Sequence, residues 1–296
     1  MKHRKLVRVT PLVLACTLWF LSACHRVIPA QFDHPQLAAG VRMQDVSFHS
    51  TALGRDMQYR VFLPATLAAG QKLPVVYLLH GAGDGFRDWS NETNVAQYAQ
   101  KRILLVMPEG NSSYYVNAVG VPKDKYEDYI TKDLIADVEA RFPARNDREH
   151  RAIVGISMGG FAAIEYALTR SDLFSFAGAL SPAVDVPGRR FSMKHVGQWW
   201  RFRQIFGPLG SKERQARDPF VLVQSVNPQA TPYIYLTAGE QEALVDPIRR
   251  FAALLGKRGF AYEFHTKPGG HGWAEWNEQI PGCFDSLFTH LQGKTN

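Results

Sequence analysis

Ala152-Ile153-Val154-Gly155-Ile156-Ser157-Met158-Gly159-Gly160 is the stretch on which the fold of this chain turns. An apolar run ends in G-x-S-x-G, and helix-forming residues follow at once, from Met158 to Thr169. A strand that turns sharply into a helix pushes the serine hydroxyl outward, and small residues must flank it to avoid clashes. Ser157 is therefore the candidate nucleophile. The Met158 backbone N–H, at the start of the helix, is a candidate donor to a developing oxyanion.

Outward from this turn, strands and helices alternate. Met43–His49 and Met57–Leu63 alternate apolar with polar residues and predict an antiparallel opening pair. Val75–Leu79 and Ile103–Met107 are continuous apolar runs, as in strands covered on both faces, with a helix over Asn94–Lys101 between them. Tyr126–Phe142 has helical spacing; Phe176–Leu180, Tyr233–Thr237 and Ala261–Thr266 read as strands. Pro247–Lys257 and Ala274–Leu291 read as helices. This rhythm predicts an α/β fold, a doubly wound and mostly parallel sheet. The aromatic and basic stretch 184–217 breaks it and is expected to be an inserted cap segment, with Trp199, Trp200 and Phe202 as candidates to line a substrate pocket.

Acyl transfer needs more than a serine. A second oxyanion donor is expected in the glycine-rich loop Leu78-Leu79-His80-Gly81-Ala82-Gly83, at the N–H of Ala82. The base follows a nucleophile held on this kind of turn, so His80 is read as shaping its loop. His265 falls within a strand and His290 within the terminal helix. His271, in the loop Pro268-Gly269-Gly270-His271-Gly272-Trp273 after the last strand, is the candidate base. The acid should follow Tyr233–Thr237, where the loop offers Glu240, Glu242 and Asp246; Glu242 is favoured and Asp246 held in reserve.

The N-terminus carries a different message. Lys2, Arg4, Lys5 and Arg8 precede an apolar run from Leu12 to Ala23, too short to span a bilayer and shaped like a secretory signal. Leu21-Ser22-Ala23-Cys24 resembles a bacterial lipobox, which makes Cys24 the expected lipidation site. Residues 1–23 are then the signal, 24–40 a tether with Pro29 and Pro35, and 41–296 the folded domain. The net charge of +7 falls to +3 once these four basic residues are removed, and no Arg-rich stripe remains for nucleic acid. Cys16 lies in the signal and Cys24 is the lipid site, which leaves Cys283 unpaired and predicts no disulfide.

Taken in order, Leu79-His80-Gly81, Pro108-Glu109-Gly110, Tyr126-Glu127-Asp128-Tyr129-Ile130, Gly155-Ile156-Ser157-Met158-Gly159-Gly160 and Gly270-His271-Gly272-Trp273 resemble the esterase D-like family. That group includes S-formylglutathione hydrolases, tributyrin-type carboxylesterases, feruloyl esterases and mycolyltransferases. The resemblance spans roughly 46–291 and implies an α/β-hydrolase fold, a Ser-acid-His triad and no cofactor. Family members usually show Gly-x-x-Asp at the acid; Gly239-Glu240-Gln241-Glu242 puts a glutamate there.

The expected substrates are small-molecule or carbohydrate esters with short acyl or aromatic-acid groups. Predicted export to the cell envelope, on the periplasmic face of the outer membrane in a Gram-negative host, disfavours a cytosolic thioester. An acyltransferase of mycolyltransferase type would share the triad, and a non-catalytic envelope lipoprotein would reuse the fold for binding. No H-E-x-x-H pattern points to a metal.

Overall fold

In a computed structural model residues 32–190 and 196–292 are described; the signal segment, Cys24 and most of the tether lie outside them. Eight strands form one sheet: β1 (Val41–Ser50), β2 (Arg55–Pro64), β3 (Val75–Leu79), β4 (Leu104–Pro108), β5 (Arg151–Ile156), β6 (Phe176–Leu180), β7 (Tyr233–Gly239) and β8 (Tyr262–Lys267). Their order is β1-β2-β4-β3-β5-β6-β7-β8. β1 pairs antiparallel with β2 and β2 with β4, and the remaining six strands run parallel. This is the doubly wound, mostly parallel α/β sheet that the alternation of strands and helices predicts, in the α/β-hydrolase arrangement that the family resemblance implies.

The continuous apolar runs have a simple cause. β3, β4, β5 and β6 are buried along their whole length, because helices cover both faces of the sheet. Successive side chains point to opposite faces. Val75, Tyr77 and Leu79 accordingly enter one core, and Val76 and Leu78 the other. The first core packs against α1 (Met158–Thr169) and α3 (Val245–Arg258), and the second against α4 (Trp273–Gln292). α3 has its apolar residues on one side and ends at Gly259, whose φ of 80° closes the helix in the left-handed conformation.

Two of the expected helices depart from plain α-helix. The expected helix over 94–101 is wound as a 3₁₀ helix, Val95–Lys101, closed by Arg102 at φ 63°. The run from Tyr126 to Arg141 contains a π-turn over Tyr129–Leu134, which keeps Tyr129, Ile130 and Thr131 buried together. Between β6 and β7 the chain makes α2 (Val196–Phe206) and the short helices Lys212–Gln215 and Pro219–Leu222. Buried Arg214 ties this segment together by donating to the carbonyls of Pro187 (2.6 Å), Gly207 (3.2 Å) and Arg189 (3.3 Å).

Candidate active site

Ser157 sits between β5 and α1 with φ 51° and ψ −109°, a conformation that a non-glycine residue adopts only when its surroundings impose it. They do so through hydrogen bonds and close packing. The Ser157 N–H donates to Leu180 O (2.9 Å), and Ser157 O accepts from Phe161 N (2.9 Å) and Ala183 N (3.1 Å). A Cβ on Gly155 would lie 2.2 Å from the Gly159 carbonyl carbon, and one on Gly159 would lie 2.2 Å from Leu79 O. The glycines of G-x-S-x-G are thus required by backbone approaching backbone, with no side chain free to move aside.

The glycine-rich loop after β3 lies against the serine. A Cβ on Gly81 would be 3.7 Å from Ser157 Cβ. The Met158 N–H belongs to the first turn of α1, whose N–H groups have no partner within the helix and favour negative charge. His80 is buried and fully engaged: Nδ1 donates to Gly81 O (2.8 Å) and Nε2 accepts from Gly110 N (2.9 Å). It shapes the loop, in keeping with its expected role.

His271 reaches the serine from the loop after β8. Its Nε2 is 2.9 Å from Ser157 Oγ, and its Nδ1 is 2.6 Å from Glu242 Oε2. Glu242 is closed to solvent, and its other oxygen accepts from Gly239 N (3.1 Å). The acid loop and the histidine loop are joined by backbone hydrogen bonds, Glu240 N to Lys267 O (2.9 Å) and Gln241 N to Gly269 O (3.0 Å). Gly239 permits this contact, since a Cβ there would meet Gly270 O at 2.4 Å. The Trp276 ring packs edge-on against the imidazole at 5.1 Å.

The alternatives are placed elsewhere. Asp246 is exposed at the start of α3, facing Arg249 at 3.6 Å. Glu240 accepts from Thr266 at the surface (3.3 Å). His265 pairs with Glu263 (2.7 Å) on the edge strand, and His290 packs against Tyr233 in α4. The three aromatic pocket candidates divide. Phe202 is a core residue against Tyr114 and Phe206, while Trp199 and Trp200 form an edge-to-face pair beneath Arg203, with Trp200 half exposed.

Asp84 is a site residue that sequence reasoning missed. Its Oδ2 accepts from Gly81 N (3.1 Å) and so fixes the loop that touches Ser157. Burial, with Asp88 close by, raises its carboxyl above the ordinary carboxylate value. The only sequence signal is its position in Gly81-Ala82-Gly83-Asp84-Gly85, where an aspartate can cap a tight turn. Cys283 is buried against the sheet, and burial pushes its thiol up.

The chain has clear relatives. Residues 50–286 match the family model described as "Putative esterase". The "Acetyl esterase" of Caldicellulosiruptor saccharolyticus is 24% identical over 259 residues, which cover 82% of this chain and 97% of that protein. "Esterase MT1326" of Mycobacterium tuberculosis is 28% identical over 253 residues, covering 76% of this chain and 54% of that protein, so the chain spans about half its length. Among solved structures, FphF, a fluorophosphonate-binding serine hydrolase of Staphylococcus aureus, superposes with a TM-score of 0.72 at 24% identity. That likeness covers 85% of this chain and 98% of FphF, and concerns the fold.

Proposed function

Because the chain belongs to the esterase family and carries the α/β-hydrolase fold, we propose that it is a serine carboxylesterase working through Ser157, His271 and Glu242. The observation that carries this reading is the 2.9 Å contact between His271 Nε2 and Ser157 Oγ, with Nδ1 held by a buried glutamate. Glu242 keeps the proton of the neutral imidazole on Nδ1, leaving Nε2 free to take the serine proton. Ser157 Oγ attacks the ester carbonyl, and the N–H groups of Met158 and Ala82 receive the oxyanion. His271 then hands its proton to the leaving alcohol. Water, activated in turn by His271, cleaves the acyl-enzyme and regenerates the serine.

The substrates proposed are esters of short acyl groups or aromatic acids. The name of the Caldicellulosiruptor relative supports the short-acyl end of that range. Ser157→Ala should abolish turnover of 4-nitrophenyl acetate and butyrate while leaving the circular dichroism spectrum unchanged. Turnover at the wild-type rate by a folded Ser157→Ala protein would overturn the assignment. Product analysis with trehalose present separates hydrolysis from acyl transfer, since a transferase yields acylated sugar in place of free acid.

We further propose that the enzyme is exported and held at the membrane through a lipid on Cys24. Support comes from the basic start, the apolar run and Leu21-Ser22-Ala23-Cys24. His25 after the cysteine favours the outer membrane of a Gram-negative cell. Radiolabelled palmitate should enter the wild-type protein in cells, and Cys24→Ala should remove the label; label retained in that variant would refute the anchor.

A further inference from the structure

A cavity of about 300 Å³ opens beside the glycine-rich loop, walled by Asn111–Ser113 on one side and by α2 on the other. Its connection to Ser157 runs through two contacts. Ser112 Oγ accepts from Gly83 N (3.2 Å), two residues from the Gly81 that abuts the serine. Tyr114 N donates to the sulfur of Met158 (3.3 Å), the residue after the nucleophile. Loop 118–121 pins the end of α2 in place, with Val119 N donating to Ile205 O (3.1 Å) and Gly120 N to Gln204 O (2.8 Å). Arg201, Gln204 and Ile205 share one face of α2 by their i, i+3, i+4 spacing, and all three line the cavity.

The charges in this cavity are unequal. Asp124 on its wall faces Arg55 at 3.7 Å and is offset by it. Arg201 is exposed to solvent and has no carboxylate within ion-pair distance among the described residues, so an incoming anion meets no competing protein charge there. Tyr126 adds a second donor. Its oxygen accepts from Arg55 Nη2 (2.7 Å) and from Asn111 Nδ2 (2.5 Å), which uses both acceptor positions of a phenol and leaves its proton to donate. Tyr126 is itself only 3% exposed, so that donor belongs to the buried wall of the cavity. Ala118, Val121 and Ile205 supply apolar surface alongside.

We infer that this cavity is a substrate subsite that selects esters bearing a carboxylate, with Arg201 as the specificity-determining residue. A cation without a protein counter-charge, lining a cleft joined to the serine turn through the Ser112–Gly83 and Tyr114–Met158 contacts, gains most from an anionic group on the ester. The apolar wall takes the body of that ligand, and the Tyr126 hydroxyl adds a directed hydrogen bond. The inference rests on the serine-esterase reading, since it concerns which ester that site accepts.

The test compares kcat/KM for two matched pairs, so that the position of the anion is also read. Acetoxybenzoate against acetoxybenzamide, both para-substituted, puts the carboxylate in the alcohol half; mono(4-nitrophenyl) adipate against 4-nitrophenyl hexanoate puts it in the acyl half. In at least one pair the anionic-to-neutral ratio should drop about tenfold in Arg201→Gln, the size of one charge-assisted hydrogen bond. Arg201→Lys should restore most of that ratio, and high salt should lower it in the wild type. Ratios unchanged by Arg201→Gln in both pairs would overturn the inference. Labelling of Ser157 by a fluorophosphonate reports separately on the nucleophile. A labelled enzyme without charge selection defeats the subsite alone, whereas an unlabelled wild-type enzyme defeats the esterase reading beneath it.

Discussion

Glu242 Oε2 lies 2.6 Å from His271 Nδ1, and the glutamate side chain is wholly shielded from solvent. A surface carboxylate at that distance would be screened and mobile. Here the Gly239 N–H holds the second oxygen, so the carboxylate has one orientation to offer the imidazole. Asp246, four residues on, has turned to the surface with the start of α3.

Exchanging the two acids for amides should therefore give opposite results. Glu242→Gln keeps the shape but can donate to Nδ1, which favours the tautomer with its proton on the nitrogen facing the serine. We expect kcat to fall by about 10³- to 10⁴-fold, as when a triad acid is made an amide. Asp246→Asn should stay within about twofold of wild type, a bound set by surface substitutions of small effect. Steady-state kinetics on 4-nitrophenyl butyrate measures both, and a large loss from Asp246→Asn would reverse their roles.

Gly159→Ala should destabilise the fold as well as the site. Its methyl group would lie 2.2 Å from the Leu79 carbonyl oxygen, so β3 or α1 must shift. Overpacking of this kind costs about 1–3 kcal/mol, and a backbone obstacle puts the cost at the upper end. Gly197→Ala in α2 is the control, because nothing stands within 4 Å of its Cβ. Urea midpoints should drop for the first variant and not for the second.

The aromatic residues of α2 separate into core and surface. Phe202 is 4% exposed and Trp200 is 53% exposed. Phe202→Ala should cost about 3–5 kcal/mol, the range for a buried aromatic ring. Trp200→Ala should change stability by no more than about 0.5 kcal/mol. Denaturant unfolding of both would show the expected contrast or its absence.

These contrasts also mark what one sequence can disclose. β5 and α1 are legible because an apolar run, two obligatory glycines and helix formers stand together in fewer than twenty residues. His271 and Glu242 are legible as places, the loops after β8 and β7, since a parallel sheet brings those strand ends side by side. The direction of a side chain within α2 is not. Trp199, Trp200 and Phe202 are adjacent in sequence, and which of them meets the core depends on how loop 118–121 docks on the helix end. Arg201 faces the cavity for the same reason, and a basic residue among aromatics looks like any solvated surface. Asp84 was hidden likewise, because its role depends on a turn closing onto Gly81.

Glu165, buried in α1, the helix that follows Ser157, should make stability depend on pH. Burial pushes its carboxyl up from 4.5 to about 7; Arg217, 2.7 Å away, opposes this, but Arg217 also serves Glu127 at 2.6 Å. One guanidinium shared by two carboxylates leaves the fully buried one undercompensated. The folded state consequently holds a proton on Glu165 that the unfolded chain releases near pH 4.5. The group's contribution is complete below that pH and declines as the pH rises to about 7, by up to about 3 kcal/mol. Glu165→Gln fixes the uncharged state, so the melting temperature of the variant relative to wild type should climb between pH 5 and pH 8. A difference that stays flat, or that falls, across this range would show that Glu165 is charged in the folded protein throughout. The ion pair with Arg217 would then outweigh burial.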